Sequence, residues 1–449
     1  MVFGSRFWLC ILLALVALTA AAKDDTGKKR TKRTRTTAET VEKKPSRPDP
    51  AVKTGNGGAP ADAEIPVPDA NRGVGVDLFD ARSPLWESSP AEVCRRLKLK
   101  PPKGTENDPV LSVYTQRKAS FCGCGVEEFR LFGKAGKLIR IDVMFLNKGD
   151  SVKGKVSNAR RSGFSKQLQR EQRELINGLT AAFGAPVNGV FGSGKQSKRM
   201  SYWFCREAAI AVELESREFL MLHIVPREQG GRRKTQSSTN RLDRAKIDLT
   251  KNIRREKNGD VFIEGVPMVD QGSKGYCVPA TLERYFRYYG ITDFDMHRIA
   301  DAGKTKMGGG TTLTSAIGGL APMLHDCRLH RVSCGKLRMR VVIRAIDEGT
   351  PLIWALYSSP DYLNRLKELN AARGDAKSSA EWQTQLRKMR KIPSSKSGAH
   401  VCLIIGYNAS TGEIAVSNSW GPGAEIAWVR FADAAVADGG EDLYVLQLR

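Results

Sequence analysis

Beyond residue 22 the chain has no apolar run long enough to cross a bilayer, no internal repeat, and no His or Cys pairs at metal-ligand spacing. The first absence excludes an integral membrane segment once the N-terminal run is removed. The last argues against a zinc site: His297, His325 and His330 are wrongly spaced, and Cys122-Gly123-Cys124 has no second pair to complete it. The Gly308-Gly309-Gly310 run lacks the preceding strand and following Lys of a phosphate loop, so it reads as a cleft-lining turn or a helix entry. No metal or cofactor is expected. No Cys follows the first apolar run where a lipid anchor would sit.

What is present divides the 449 residues unevenly. Residues 1–22 read as a signal peptide: Arg6, an apolar run from Phe7 to Leu18, then Ala20-Ala21-Ala22. The chain is therefore expected to be secreted or otherwise extracytoplasmic. Residues 23–71 are basic, with almost no large apolar side chains, and are expected to be a disordered leader. The net charge of +24 is concentrated in this tail (Lys28-Lys29-Arg30, Lys32-Arg33) and in Arg232-Arg233-Lys234 and Arg254-Arg255. Such runs suit solvated linkers or an anionic surface, with no specific nucleic-acid partner expected. Of the nine cysteines, Cys10 falls in the signal peptide. If one of the remaining eight is a nucleophile, at least one other is unpaired, and Cys327 with Cys334 is a candidate bridge.

Residues 72–226 read as a first domain of mixed α+β type. Ser89-Pro90-Ala91-Glu92 has a capping-box pattern that starts a helix through Leu97. Glu128 to Phe132 and Leu138 to Leu146 read as paired strands, Phe164 to Phe183 as a helix stopped by Gly184, and Met200 to Cys205, Ile210 to Leu214 and Phe219 to Val225 as further strands. His223 alternates with apolar neighbours and reads as structural. A binding or regulatory role is expected, of unassigned target. Residues 227–257 read as a basic linker with a helix near its end, and residues 258–449 as a second domain.

The chemistry lies in that second domain. Gly272 and Gly275 allow an irregular loop, after which Leu282, Tyr285, Phe286 and Tyr289 are spaced as one helix face, stopped by Gly290. Cys277 stands at the N-terminus of this helix, where unpaired N–H groups and the dipole favour a thiolate. Gln271 precedes it on the loop, within reach of an oxyanion formed beside Cys277. Farther on, His400-Val401-Cys402-Leu403-Ile404-Ile405-Gly406-Tyr407 and Glu413-Ile414-Ala415-Val416-Ser417-Asn418 read as a hairpin. Pairing Tyr407 with Glu413 puts Asn418 opposite Cys402, so His400 and Asn418 become diagonal neighbours about 7–8 Å apart on one face. A bulge would shift that register by one residue. Between nucleophile and base the expected elements are helices at 295–302, 311–324 and 337–348, a strand at 351–357, and a charged helical insertion at 359–396.

Gln271 six residues before Cys277, Gly398-Ala399-His400 leading a strand, and Asn418-Ser419-Trp420-Gly421, in that order, resemble the papain-like cysteine peptidases over residues 258–449. The resemblance implies Gln271 as oxyanion-hole donor, Cys277 as nucleophile, His400 as general base and acid, Asn418 as the holder of the imidazole, and Trp420 as its shield. It implies an α+β fold: a papain-like C-terminal domain, with a helical half and an antiparallel-sheet half, preceded by the small α+β domain. Val278-Pro279-Ala280 after the nucleophile looks more like the leader-peptide-cleaving peptidases of bacteriocin exporters, which usually have Asp where Asn418 stands. The expected activity is hydrolysis of peptide bonds in a peptide or protein substrate. The alternatives are amidase or transpeptidase action on cell-wall peptides and a catalytically silent binding protein. The first domain precedes the enzyme where papain-like zymogens carry an inhibitory propeptide.

Overall fold

The computed structural model describes residues 65–449 apart from 104, 106, 107, 152–155, 193–196, 232–246 and 377. The expected signal peptide, nearly all of the basic leader and the Arg232-Arg233-Lys234 run lie outside the described residues. Among the described residues no helix is long and apolar enough to cross a membrane. The fold is α+β, built on two antiparallel sheets.

The first sheet contains β1 (Val110–Phe121), β2 (Cys124–Lys134), β3 (Lys137–Asn147), β4 (Val187–Phe191), β5 (Lys198–Cys205), β6 (Ala208–Glu215) and β7 (Phe219–Pro226) in the order β1-β2-β3-β7-β6-β5-β4. Cys122 and Gly123 both adopt positive φ, as do Ala135 and Gly136, so β1–β2 and β2–β3 are joined by two-residue turns whose twist matches the strands. Cys122-Gly123-Cys124 is thus a hairpin corner. The long helix Asn158–Phe183 buries Phe164, Leu168, Leu175 and Leu179 and ends at Gly184, with φ 81°. The Ser89–Glu92 capping box closes as expected, starting helix Pro90–Arg96.

Several elements depart from the sequence reading. Helix Val67–Val74 buries Ala70 and Val74, so ordered structure begins inside the stretch expected as leader. β1 escapes a periodicity search because its middle, Thr115 to Lys118, is polar, and the pairing slips between Tyr114 and Ala119. At the end of the expected linker, 3-10 turn Leu249–Asn252 replaces a helix, and β8 (Ile253–Arg255) pairs with β9 (Asp260–Ile263). The helix expected at 311–324 is two, Leu313–Gly319 and Ala321–Asp326, because Pro322 can only open the second. All eight described cysteines are free thiols. Cys327 and Cys334 do not bridge, since the extended run from Leu329 to Cys334 alone spans about 16 Å.

The second sheet runs β10 (Leu329–Gly335), β15 (Leu443–Leu448), β11 (Leu352–Tyr357), β12 (Ala399–Asn408), β13 (Glu413–Ser417), β14 (Ala427–Arg430), with β9 also on β12. Its core gathers Leu282, Tyr285 and Phe286 of helix Cys277–Tyr288 with Trp354, Leu403 and Ile404. The insertion forms helices Pro360–Arg373 and Ser379–Lys388, tied to the sheet where Arg373 pairs with Asp260 and Glu413.

A buried ion network joins the first sheet to the helices beside Cys277. Arg130 on β2 bonds Glu128 at 2.9 Å and reaches Glu283 of helix Cys277–Tyr288 at 3.1 Å; Glu283 also accepts from Arg287 and from the Met296 amide. Arg298, on helix Met296–Ala302, bonds Glu213 of β6 at 2.5 Å. Next to it His223 is held between Asp142 at 2.7 Å and Glu213 at 2.8 Å, which accounts for it structurally.

Arg130→Met would leave Glu128 buried without its Arg and Glu283 with Arg287 alone, and is expected to cost about 3–5 kcal/mol in urea unfolding. Burial is the largest single influence and raises Glu128, Asp142 and Glu213, but Arg130 with His297, Arg140 with His223, and Arg298 with His223 and Lys198 together outweigh it and hold the three low. The stability these carboxylates contribute is present above the usual carboxylate range and is lost progressively as pH falls from that range toward their lowered folded values. A melting temperature that declines steeply on acidification, and less so in Arg130→Met, would show this.

Candidate active site

Cys277 is the first residue of helix Cys277–Tyr288, which leaves its own backbone N–H and that of Val278 without intrahelical partners. Both act on the sulfur, and so does the backbone N–H of Val401 on β12. Helix and strand are stapled one turn on, where Thr281 Oγ1 donates to the Val401 carbonyl at 3.1 Å. The thiol therefore lies at the strand position next to His400. Burial pushes the thiol up, and the three amides only partly offset it.

The hairpin carrying His400 and Asn418 resolves its register with a bulge. At the turn Asn408 faces Glu413 and Tyr407 faces Ile414, one residue away from the expected pairing. An irregularity at Ile405 takes up the difference, so Ile404 faces Val416 and Leu403 faces Ser417, which is the expected register. Next to the bulge, Gly406 has no room for a side chain: a Cβ there would lie 2.6 Å from Phe262 Cβ. Asn418 then leaves the strand, its N–H donating to the Ala424 carbonyl.

His400 Nε2 lies 3.0 Å from Asn418 Oδ1. With the amide oxygen facing the ring, Nε2 carries the proton and Nδ1 keeps its lone pair. The Trp420 indole stacks on the imidazole, with ring centroids 4.7 Å apart and planes 26° apart. His400 is buried, and burial lowers its pKa to about 4 against a smaller upward pull from Asn418. Among the described residues no hydrogen bond joins His400 to the Cys277 thiol.

Gln271 is pinned to the same corner. Its N–H donates to the Ser419 carbonyl at 2.9 Å, and its Oε1 accepts from Ser419 Oγ at 2.7 Å. This anchors the amide by its oxygen, and among the described residues its NH2 donors have no protein partner. The structure thus brings His400, Asn418 and Trp420 into direct contact, links Gln271 through Ser419, and sets Cys277 against Val401.

Two residues not singled out in the sequence matter here. Ser419 is one; Arg284 is the other. Its guanidinium is fully buried, makes no ion pair among the described residues, and bonds the Pro267 carbonyl at 2.8 Å and the Ser417 carbonyl at 3.1 Å. It thereby ties the helix to the start of the Gln271 loop and to the residue before Asn418. Burial lowers its pKa to about 10. The spacing gave no signal for Arg284, which lies off the apolar face formed by Leu282, Tyr285, Phe286 and Tyr289 and reads as an ordinary solvent-facing Arg.

Residues 263–436 match the family model described as "Peptidase_C39 like family". The matched segment contains Gln271, Cys277, His400, Asn418 and Trp420, resembles papain-like cysteine peptidases, and points to cysteine peptidase activity. It spans less than half of the chain. A solved Bacillus anthracis protein described as a putative C39-like peptidase aligns over 42% of this chain and 98% of its own, at 12% identity and TM-score 0.28, a likeness too slight to carry weight. No curated protein matches the chain.

Two outcomes follow. Arg284→Met would strand buried carbonyls, with an expected cost of about 1–3 kcal/mol in thermal unfolding. With the thiol raised and His400 lowered, Cys277 should be neutral at rest; its alkylation by iodoacetamide should climb through alkaline pH. A rate already level from pH 5 upward would instead reveal a preformed thiolate–imidazolium pair.

Proposed function

We propose that the chain is an extracytoplasmic cysteine peptidase that hydrolyses peptide bonds with Cys277 as nucleophile, His400 as base, Asn418 as orienting residue and Gln271 as oxyanion donor. The observation that carries this reading is the His400 Nε2–Asn418 Oδ1 contact at 3.0 Å under Trp420. It selects the tautomer whose free Nδ1 can accept a proton, on the strand that Cys277 packs against. The signal-peptide pattern of residues 1–22 supports export, and the basic runs of the tail and linker suit an anionic surface.

His400 Nδ1 takes the proton from Cys277 Sγ as the sulfur attacks the substrate carbonyl carbon. Free thiol–imidazole pairs are often long or misaligned and tighten when substrate is seated. The developing oxyanion accepts from the Gln271 amide and the Cys277 backbone N–H. The tetrahedral species collapses, the C–N bond breaks, and His400 returns its proton to the leaving amine. Water, deprotonated by His400, then attacks the thioester; the carboxylic acid leaves and the thiol is restored.

Trp420 shields the His400–Asn418 hydrogen bond from solvent, which strengthens it in the low-dielectric site.

Cys277→Ala should abolish hydrolysis of a casein or peptide-library substrate, and Gln271→Ala should lower kcat by about 10²–10³-fold. Undiminished hydrolysis by Cys277→Ala would remove the assignment. Turnover of peptidoglycan peptides alone, with proteins untouched, would move the enzyme to the amidase class.

A further inference from the structure

The loop from Asp270 to Tyr276 carries Gln271 and delivers the chain to Cys277. It contains Gly272 and Gly275, so its backbone has much freedom to lose. Ser419 holds one side of it. The other side rests on the N-terminal sheet. Tyr114 of β1 donates its hydroxyl to the Asp270 carbonyl at 2.7 Å, one residue before Gln271. Lys274 is fully buried; its ammonium bonds Asp150 Oδ2 at 2.8 Å and lies 4.6 Å from the centroid of the Tyr114 ring. Gly149, beside Asp150, fits so closely that a Cβ there would stand 2.9 Å from both Lys274 Cβ and the Tyr276 ring. Asp270 closes the turn internally, its Oδ1 accepting from the Gly272 N–H at 2.7 Å.

Tyr114, Gly149 and Asp150 thus meet Asp270, Lys274 and Tyr276, the residues that flank Gln271 and precede Cys277. A buried ammonium has few acceptable positions, because leaving its carboxylate strands a charge in the interior. The Tyr114 hydroxyl fixes the peptide that precedes Gln271. Together they set where the Gln271 side chain stands relative to the Cys277 N–H, and an oxyanion hole depends on that placement to a fraction of an ångström.

We infer that Tyr114, Asp150 and Lys274 are positioning residues for the oxyanion hole, so that the N-terminal domain completes the catalytic site instead of inhibiting it. This rests on the assignment of Cys277 and Gln271 made above. The contacts support the loop from behind, the opposite of what an inhibitory propeptide in this position would do.

The test uses the full chain carrying Tyr114→Phe, which keeps the ring and removes one hydroxyl, and Asp150→Asn. Asp150→Asn/Lys274→Met removes both charges and guards against a single variant that fails to fold. For each, kcat and KM on a peptide substrate are measured beside the melting temperature and amide hydrogen exchange over residues 270–277. The expected result is a kcat lower by on the order of 10–10²-fold, KM within about twofold of wild type, and faster exchange confined to the loop. Folded variants with wild-type kcat and wild-type exchange at 270–277 would overturn the inference. If the wild-type chain itself cleaves no peptide, the peptidase assignment fails, and the exchange measurement alone decides whether the N-terminal domain holds the loop.

Discussion

Everything at the site depends on one seam, where the helix that begins with Cys277 lies against the strand that carries His400. Thr281 bonds across it to Val401, and Arg284 crosses it to Pro267 and Ser417. A buried guanidinium with only carbonyl and hydroxyl partners is costly to desolvate, so it tolerates few arrangements of the groups around it. The same side chain therefore sets the distance between helix and strand, the start of the Gln271 loop and the approach to Asn418. The Ile405 bulge shifts the hairpin register by one residue between its turn and its far end, where Asn418 meets the Nε2 edge of His400.

The second constraint is that the first sheet meets the helices beside Cys277 through charge. A flat apolar interface can slide, whereas Arg130 between Glu128 and Glu283, and Arg298 against Glu213, admit one register. Two of these contacts land on the helix that begins with Cys277 and on the helix after it. The first sheet is thus mechanically continuous with Cys277. Lys274 and Tyr114 extend that continuity to the Gln271 loop.

Burial sets the electrostatics of the site against the helix-terminus effect. The N-terminus of the helix favours a thiolate at Cys277, yet desolvation outweighs it, and the neighbouring imidazole is lowered by the same cause. Both shifts favour a neutral pair at rest, with charge appearing as the proton moves.

Local pattern made some of this readable in advance. The Gly290-stopped amphipathic helix, the capping box at Ser89, the His400 hairpin and the strands from Met200 to Val225 all follow from periodicity and turn chemistry, which are properties of neighbours in sequence. Strand β1 was not readable, because its polar middle is stabilised by pairing with β2 and not by its own alternation. Arg284, Lys274 and Ser419 looked like ordinary polar residues, since each has a partner more than 100 residues away. The sequence by itself therefore determined which side chains could do chemistry and on which elements they sit, because residue type and spacing are local. Only the tertiary structure decided how they meet, because buried charges and a one-residue bulge are satisfied by groups that only the packed fold brings together.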